Sequence, residues 1–223
     1  MSTPRINLYQ GIHKGIRAML AHLLGRAGRL SFGDAAAVSS LRAEVEDLFE
    51  LLAGHARTED RFVHPLLAPV APSVLDRLAR AHEGQEDELA HLLALLRDAA
   101  AGGPEAPAIG QRFLLGLSRF AAEQLAHMAD EEELAMPAPW AACEDAALGQ
   151  VQAALLASIP PGKMARYLRW MLPALNAEER AGMLTHMQGA APPPAFAATL
   201  ALCREVLAPE QWSGLPEGVR AAA

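Results

Sequence analysis

The sequence predicts an all-α protein: an antiparallel up-and-down four-helix bundle followed by a C-terminal helical extension. Three observations lead there. Ala and Leu dominate while aromatic residues make up only 5% of the chain, a balance that favours helices over a sheet. Apolar residues recur at helical spacing along nearly the whole length. Clusters of Pro and Gly cut this pattern into four long segments with short connections, and long helices on short loops pack as antiparallel neighbours.

The first helix is expected from about Pro4 to Ala27, closed by Gly28. Asp34, in GDAAAV, is a ready N-cap for a second helix reaching about Phe62, before Pro65 stops it. Pro72 and Ser73 open a third, which ends in the Gly102-Gly103-Pro104 turn. The fourth runs from about Ala108 to Leu134 and is broken by Pro137 and Pro139. Residues 1–137 thus form the bundle, and residues 138–223 a helical extension of unassigned role. In that extension one helix covers about Ala141 to Ala157, and PPGK (Pro160 to Lys163) leads into another ending near Pro173. Asn176 and Glu179 make a capping box, and the prolines at 192–194 precede a last helix through Leu207. Trp140, Trp170 and Trp212 are read as packing anchors. The extension shows no site of its own; it could cover one end of the bundle or build a homodimer contact.

Composition narrows the function. Hydrophobic residues form 52% of the 223 positions, enough for a sizeable core, and 20% are charged. A net charge of −7 without a dense Lys/Arg run argues against nucleic acid as a partner. Cys143 and Cys203 stand far apart in no CxxC arrangement, as expected of idle thiols in a reducing cytoplasm. The N-terminus lacks the apolar core of a signal peptide, and no stretch approaches the ~20 apolar residues that span a bilayer. No P-loop, Gly-rich dinucleotide turn or nucleophile elbow is present. The sequence reads as a cytoplasmic protein without a membrane partner.

The chemistry lies in two matching pairs. HARTE places His55 four residues before Glu59, and HMADE places His127 four before Glu131. Residues four apart on a helix differ by about 40° and ~6 Å, so each pair shares a face. Each also lies in its helix's apolar stripe: His55 with Leu48, Leu51 and Phe62, and His127 with Phe113, Phe120 and Leu134. A lone histidine precedes each pair. His13 lies in the row of Ile6, Ile16 and Leu20, and His82 in that of Leu75, Leu78, Leu89 and Leu93. Four helices therefore each direct one imidazole toward a common axis, and two add a carboxylate. His22, His64 and His91 each follow one of these by nine residues, about 180° away on an ideal helix, so they should face outward or toward other layers. His64, directly before Pro65, can leave helical geometry, which weakens its exclusion. His186 lies apart from the set.

A single histidine on an apolar face is usually a hydrogen-bonded core residue, and a lone HxxxE is common as a surface pair. Six such groups together are different. An unsatisfied buried polar group costs ~1–3 kcal/mol and a buried carboxylate several more, against a domain stability of ~5–15 kcal/mol. A metal compensates directly; a hydrated, metal-free network is the competing reading. Four imidazole nitrogens and four carboxylate oxygens overfill one ion but give four donors to each of two if Glu59 and Glu131 bridge. Mixed N/O donors suit iron, manganese or zinc.

The order His, HxxxE, His, HxxxE on four helices resembles the hemerythrin-like family, the HHE cation-binding domain, over about residues 5 to 136. The resemblance implies two iron ions, oxo- or hydroxo-bridged. His13 and His55 would sit mainly on one, His82 and His127 on the other, with Glu59 and Glu131 between them. The oxygen carriers of the family use a fifth histidine one turn after the third ligand. Here that place holds Glu86, so the chain looks more like the four-His bacterial branch. Glu86 is read as solvent-exposed, and Tyr9 and Glu123, one turn before ligands, as structural. The resemblance implies a protein that binds or senses O2, NO or peroxide. Alternatives are an oxidase or peroxidase that detoxifies these species, and iron storage or donation, including iron–sulfur cluster repair. The last is disfavoured here by the lack of a cysteine-containing N-terminal segment.

Overall fold

The computed structural model describes residues 5–222, with the side chain of Glu86 outside the description. Every regular element among the described residues is helical. The long helices are α1 (Gln10–Arg29), α2 (Ala35–Phe62), α4 (Pro72–Ala100) and α5 (Ala106–Asp130), with a short α3 (His64–Leu67) after α2.

Local chemistry explains most boundaries. The expected start at Pro4 lies outside the described residues, and α1 begins later, at Gln10. The Asn7 side-chain oxygen accepts the amides of Tyr9 and Gln10, each at 3.0 Å, and satisfies the first turn. Gly28 does not close α1, because it keeps a negative φ and the helix runs on to Arg29. Asp34 caps α2 as expected, accepting from Ala36 and Ala37 at 3.0 Å. Gly102 and Gly103, at φ +79° and +96°, make the left-handed turn between α4 and α5.

The end of α5 departs from expectation. Pro137 and Pro139 do not break the chain. Glu131–Ala135 instead forms a π-helical turn, closed by the Met136 amide on the Glu131 carbonyl at 2.9 Å, and α6 (Pro137–Ala142) follows. Pro137 sits at the first turn of α6, where its missing N–H costs little. A π turn holds one extra residue and so shifts the inward stripe by one position. Leu134, expected in the inward row of His127, is 43% exposed, and Ala135 is buried in its place.

The chain divides into two compact units: residues up to Gln10 with Met19–Ser158, and Gly11–Ala18 with residues from Ile159 onward. In the first, α4 lies against both α2 and α5. Leu41, Leu48, Leu92, Leu96, Phe113 and Leu117 are buried among these helices. Gly110 lies so close to the Phe32 ring that a Cβ would overlap it. At the end where α5 gives way to the π turn, Tyr9, Val63, Leu67, Leu78, Ala135, Met136 and Leu148 form an apolar plug. Trp140 packs on it and donates from its indole N–H to the Ile6 carbonyl at 2.8 Å. The expected helix over 141–157 begins only at Asp145, as α7 (Asp145–Ser158).

The second unit holds α8 (Pro161–Ala174), α9 (Ala177–Ala190) and α10 (Pro193–Val206) around Leu172, Leu184, Leu200 and Cys203. The expected capping box is present: Asn176 and Glu179 exchange hydrogen bonds at 2.9 Å. Glu179 also takes the Lys14 ammonium at 2.6 Å, which holds its carboxyl below its ordinary value although burial opposes this. Gly11 and Gly15 let this stretch of α1 approach Met171 on α8. Buried Arg180 donates to the Leu172 and Leu175 carbonyls at the end of α8. The chain does not fade after Leu207, because α11 (Pro209–Ser213) and α12 (Glu217–Arg220) follow, and Leu215 and Val219 complete this core.

The shifted stripe is directly testable. Leu134→Asp should change stability by about 0.5 kcal/mol or less, whereas Ala135→Asp should cost several kcal/mol by burying a charge. Urea denaturation of the two variants checks this; the reverse order would mean an uninterrupted α-helix.

Candidate metal centre

α2 contributes His55, Glu59 and Asp60, α4 contributes His82, α5 contributes His127, and the π turn begins at Glu131. The bundle unit by itself gathers five of the six sequence-predicted residues. Glu59 and Glu131 are 2% and 0% exposed, the two most buried carboxylates among the described residues of the bundle. The His55 Nε2 lies 3.0 Å from Glu59 Oε1, and His82 Nε2 lies 3.6 Å from Glu59 Oε2. One carboxylate thus turns its two oxygens toward two histidines on different helices. The His127 Nε2 is 3.3 Å from Glu131 Oε1 and 3.0 Å from His82 Nε2. Ligand atoms from Glu59, His82, His127 and Glu131 all fall within 4.8 Å of one another. His13 lies on the stretch of α1 that groups with the second unit and is fully buried.

The electrostatics match a site for positive charge. Two carboxylates in a nearly water-free interior demand a compensating cation or protons. Burial is the largest influence on His82 and holds its imidazole below the ordinary value. Glu59 pulls it up, His127 pushes it down and Asp60 pulls it up again. His82 is therefore kept neutral, the form in which an imidazole ligates a metal. Tyr9 is 1% exposed. Burial first, then the charges of Glu59 and Glu131, push its phenol above the ordinary value, so it remains a protonated group beside the carboxylates.

The controls divide. His22 is exposed and pairs with Glu44 at 3.1 Å, and His91 and His186 are exposed as well. Glu123 is also at the surface, where its charge helps raise the Glu88 carboxyl, burial being the larger cause. His64 does not face outward. It is 6% exposed, and its ring stacks on that of His82 with centroids 5.6 Å apart. The reason is the backbone break at Val63, after which α3 restarts with Pro65 in its first turn and re-aims His64. Asp60 is the neighbour that sequence reasoning missed. It is half-exposed, yet its Oδ1 receives His64 Nδ1 at 2.9 Å and His82 Nδ1 at 3.3 Å. The available signal was its i,i+4 spacing to His64 across the proline break.

Among the described residues, no helix is long and apolar enough to cross a membrane. No curated protein and no solved structure gave a match. A family model described as the hemerythrin HHE cation binding domain matches residues 5–138, more than half of the 223-residue chain, and contains every His and Glu of the cluster. The donor set suits the cation that such a domain holds. The chain belongs to the hemerythrin HHE cation-binding family.

Proposed function

We propose that the protein holds a non-haem di-iron centre and uses it to bind or sense O2, NO or peroxide. The observation that supports this most is the orientation of Glu59, one oxygen toward His55 and the other toward His82, as a carboxylate bridging two ions requires. In this reading His13 and His55 serve one iron, His82 and His127 the other, and Glu131 is the second bridge. His13 enters this reading by its phase in α1, in the row of buried Ile16 and Leu20. When bound, the iron pair supplies one-electron redox chemistry and open positions for a small exogenous molecule. Manganese and zinc also suit this donor set.

The chain's own contribution is to hold this constellation ready. Two bridging acids are fixed by α2 and the π turn, and the plug of Leu67, Ala135 and Met136 excludes water beside them. Glu86 in place of a fifth histidine supports sensing or binding rather than oxygen carriage. The stretch of α1 bearing His13 packs on α8 through Gly11 and Gly15. Turnover of oxygen or peroxide with a reductant would mark an oxidase or a peroxidase instead, and iron transfer to an apo iron–sulfur protein an iron donor; failure of both supports the sensor.

Purified protein should take up close to two iron ions and gain an oxo-bridge absorption on oxidation; stoichiometric zinc without redox activity would defeat the reading. Glu131→Gln, nearly isosteric, should abolish stable loading. It should also remove the metal-dependent rise in melting temperature, which reflects about 2.7 kcal/mol at a hundredfold excess over Kd. His22→Ala and His91→Ala should leave iron content unchanged in elemental analysis.

A further inference from the structure

We infer that Asp60, anchored by His64, is a positioning residue for the metal centre: it fixes the His82 ring with its Nδ1–H outward and its Nε2 lone pair inward. The inference rests on the metal reading above and adds two residues that reading does not use. His82 spans the boundary of the site. Its Nε2 faces His127 Nε2 at 3.0 Å and Glu59 Oε2 at 3.6 Å, while its Nδ1 faces Asp60 Oδ1 at 3.3 Å. A neutral imidazole carries one N–H, and the two tautomers are not equivalent here. With the proton on Nε2, the bare Nδ1 would set its lone pair against a carboxylate oxygen. With the proton on Nδ1, that contact is a charge-assisted hydrogen bond and Nε2 is free to ligate.

A carboxylate that is 54% exposed would ordinarily sample several rotamers, and His64 removes that freedom. Its Nδ1 lies 2.9 Å from the same Oδ1, an ion-pair contact, and its ring lies nearly parallel to that of His82, at 17°. His64 Nε2, by contrast, is buried without a hydrogen-bond partner among the described residues. Such an orphan costs ~1–3 kcal/mol, which an apolar side chain at this buried position would avoid. The grip on Asp60 is the compensating role the surroundings offer.

Asp60, His64 and His82 also lie close enough to suggest a separate cation site. A half-exposed carboxylate is already solvated and demands no ion, and the hydrogen bond from His82 Nδ1 accounts for its contact with the site.

The test uses the full chain and two readouts. Long-range 1H–15N spectra of the metal-free protein report the His82 tautomer, and chelator competition reports Zn(II) affinity. Wild type should show His82 as the Nδ1–H form. Asp60→Ala should mix the tautomers and weaken Zn(II) binding by about 10–100-fold. Asp60→Asn, which keeps a carbonyl acceptor, should recover part of both. His64→Phe, which keeps a ring but loses the grip, should shift both in the same direction by less. An Asp60→Ala protein with wild-type tautomer and wild-type Zn(II) affinity would overturn the positioning role while leaving the metal reading intact. Wild-type protein that takes up neither Zn(II) nor Fe(II) would instead defeat the metal reading, and the metal half of this inference with it.

Discussion

Two carboxylates in the interior of a helical bundle govern the rest of this molecule. Glu59 and Glu131 are 2% and 0% exposed, and moving even one ionised carboxylate out of water costs several kcal/mol. The neighbours are what such a cost requires. Burial keeps the His82 imidazole neutral, and a protonated phenol at Tyr9 stands by. A cation of the kind this family holds would balance the carboxylates' charge. The apolar plug beneath the site strengthens that demand, because every water it excludes removes screening. Stability and metal affinity are two expressions of the same balance.

The backbone is interrupted where that balance needs it. α2 stops at Phe62 and restarts at His64, which turns a residue destined for the outside into one stacked on His82. α5 widens into a π turn at Glu131, the second acid. π turns gather at functional sites because the displaced carbonyls and the extra residue allow side-chain placements that a regular helix does not. Both interruptions adjoin the metal centre, one below each HxxxE pair, while the distant reaches of the bundle are regular.

The sequence carried a great deal of this. The order of the long helices, the Asp34 cap, the Gly102–Gly103 turn and the Asn176–Glu179 box all rest on local chemistry, and local chemistry is visible in a string of residues. The HxxxE pairs were legible for the same reason, since a helix fixes the relation of i to i+4. Four things were not. Leu134 looked inward because a uniform 3.6-residue period was extended through a turn that does not have it. Pro137 and Pro139 looked like breakers because their place in a first turn depends on where the preceding segment ends. His64 and Asp60 depend on a backbone break and on α4 lying alongside α2, a tertiary relation that no spacing within α2 encodes. The late helices α11 and α12 escaped notice because they are too short to show a period.

The wide turn at Glu131 also lets one continuous rod face two ways. Above it, α5 offers His127 and the aromatic row of Phe113 and Phe120; below it, the rod has rotated by one residue and offers Ala135 and Met136. A polar floor and an oily stopper are therefore joined by unbroken main-chain bonding rather than by a loop. That end of the bundle unit has no seam along which it could fray, so any softness around the two acids has to reside in the other walls.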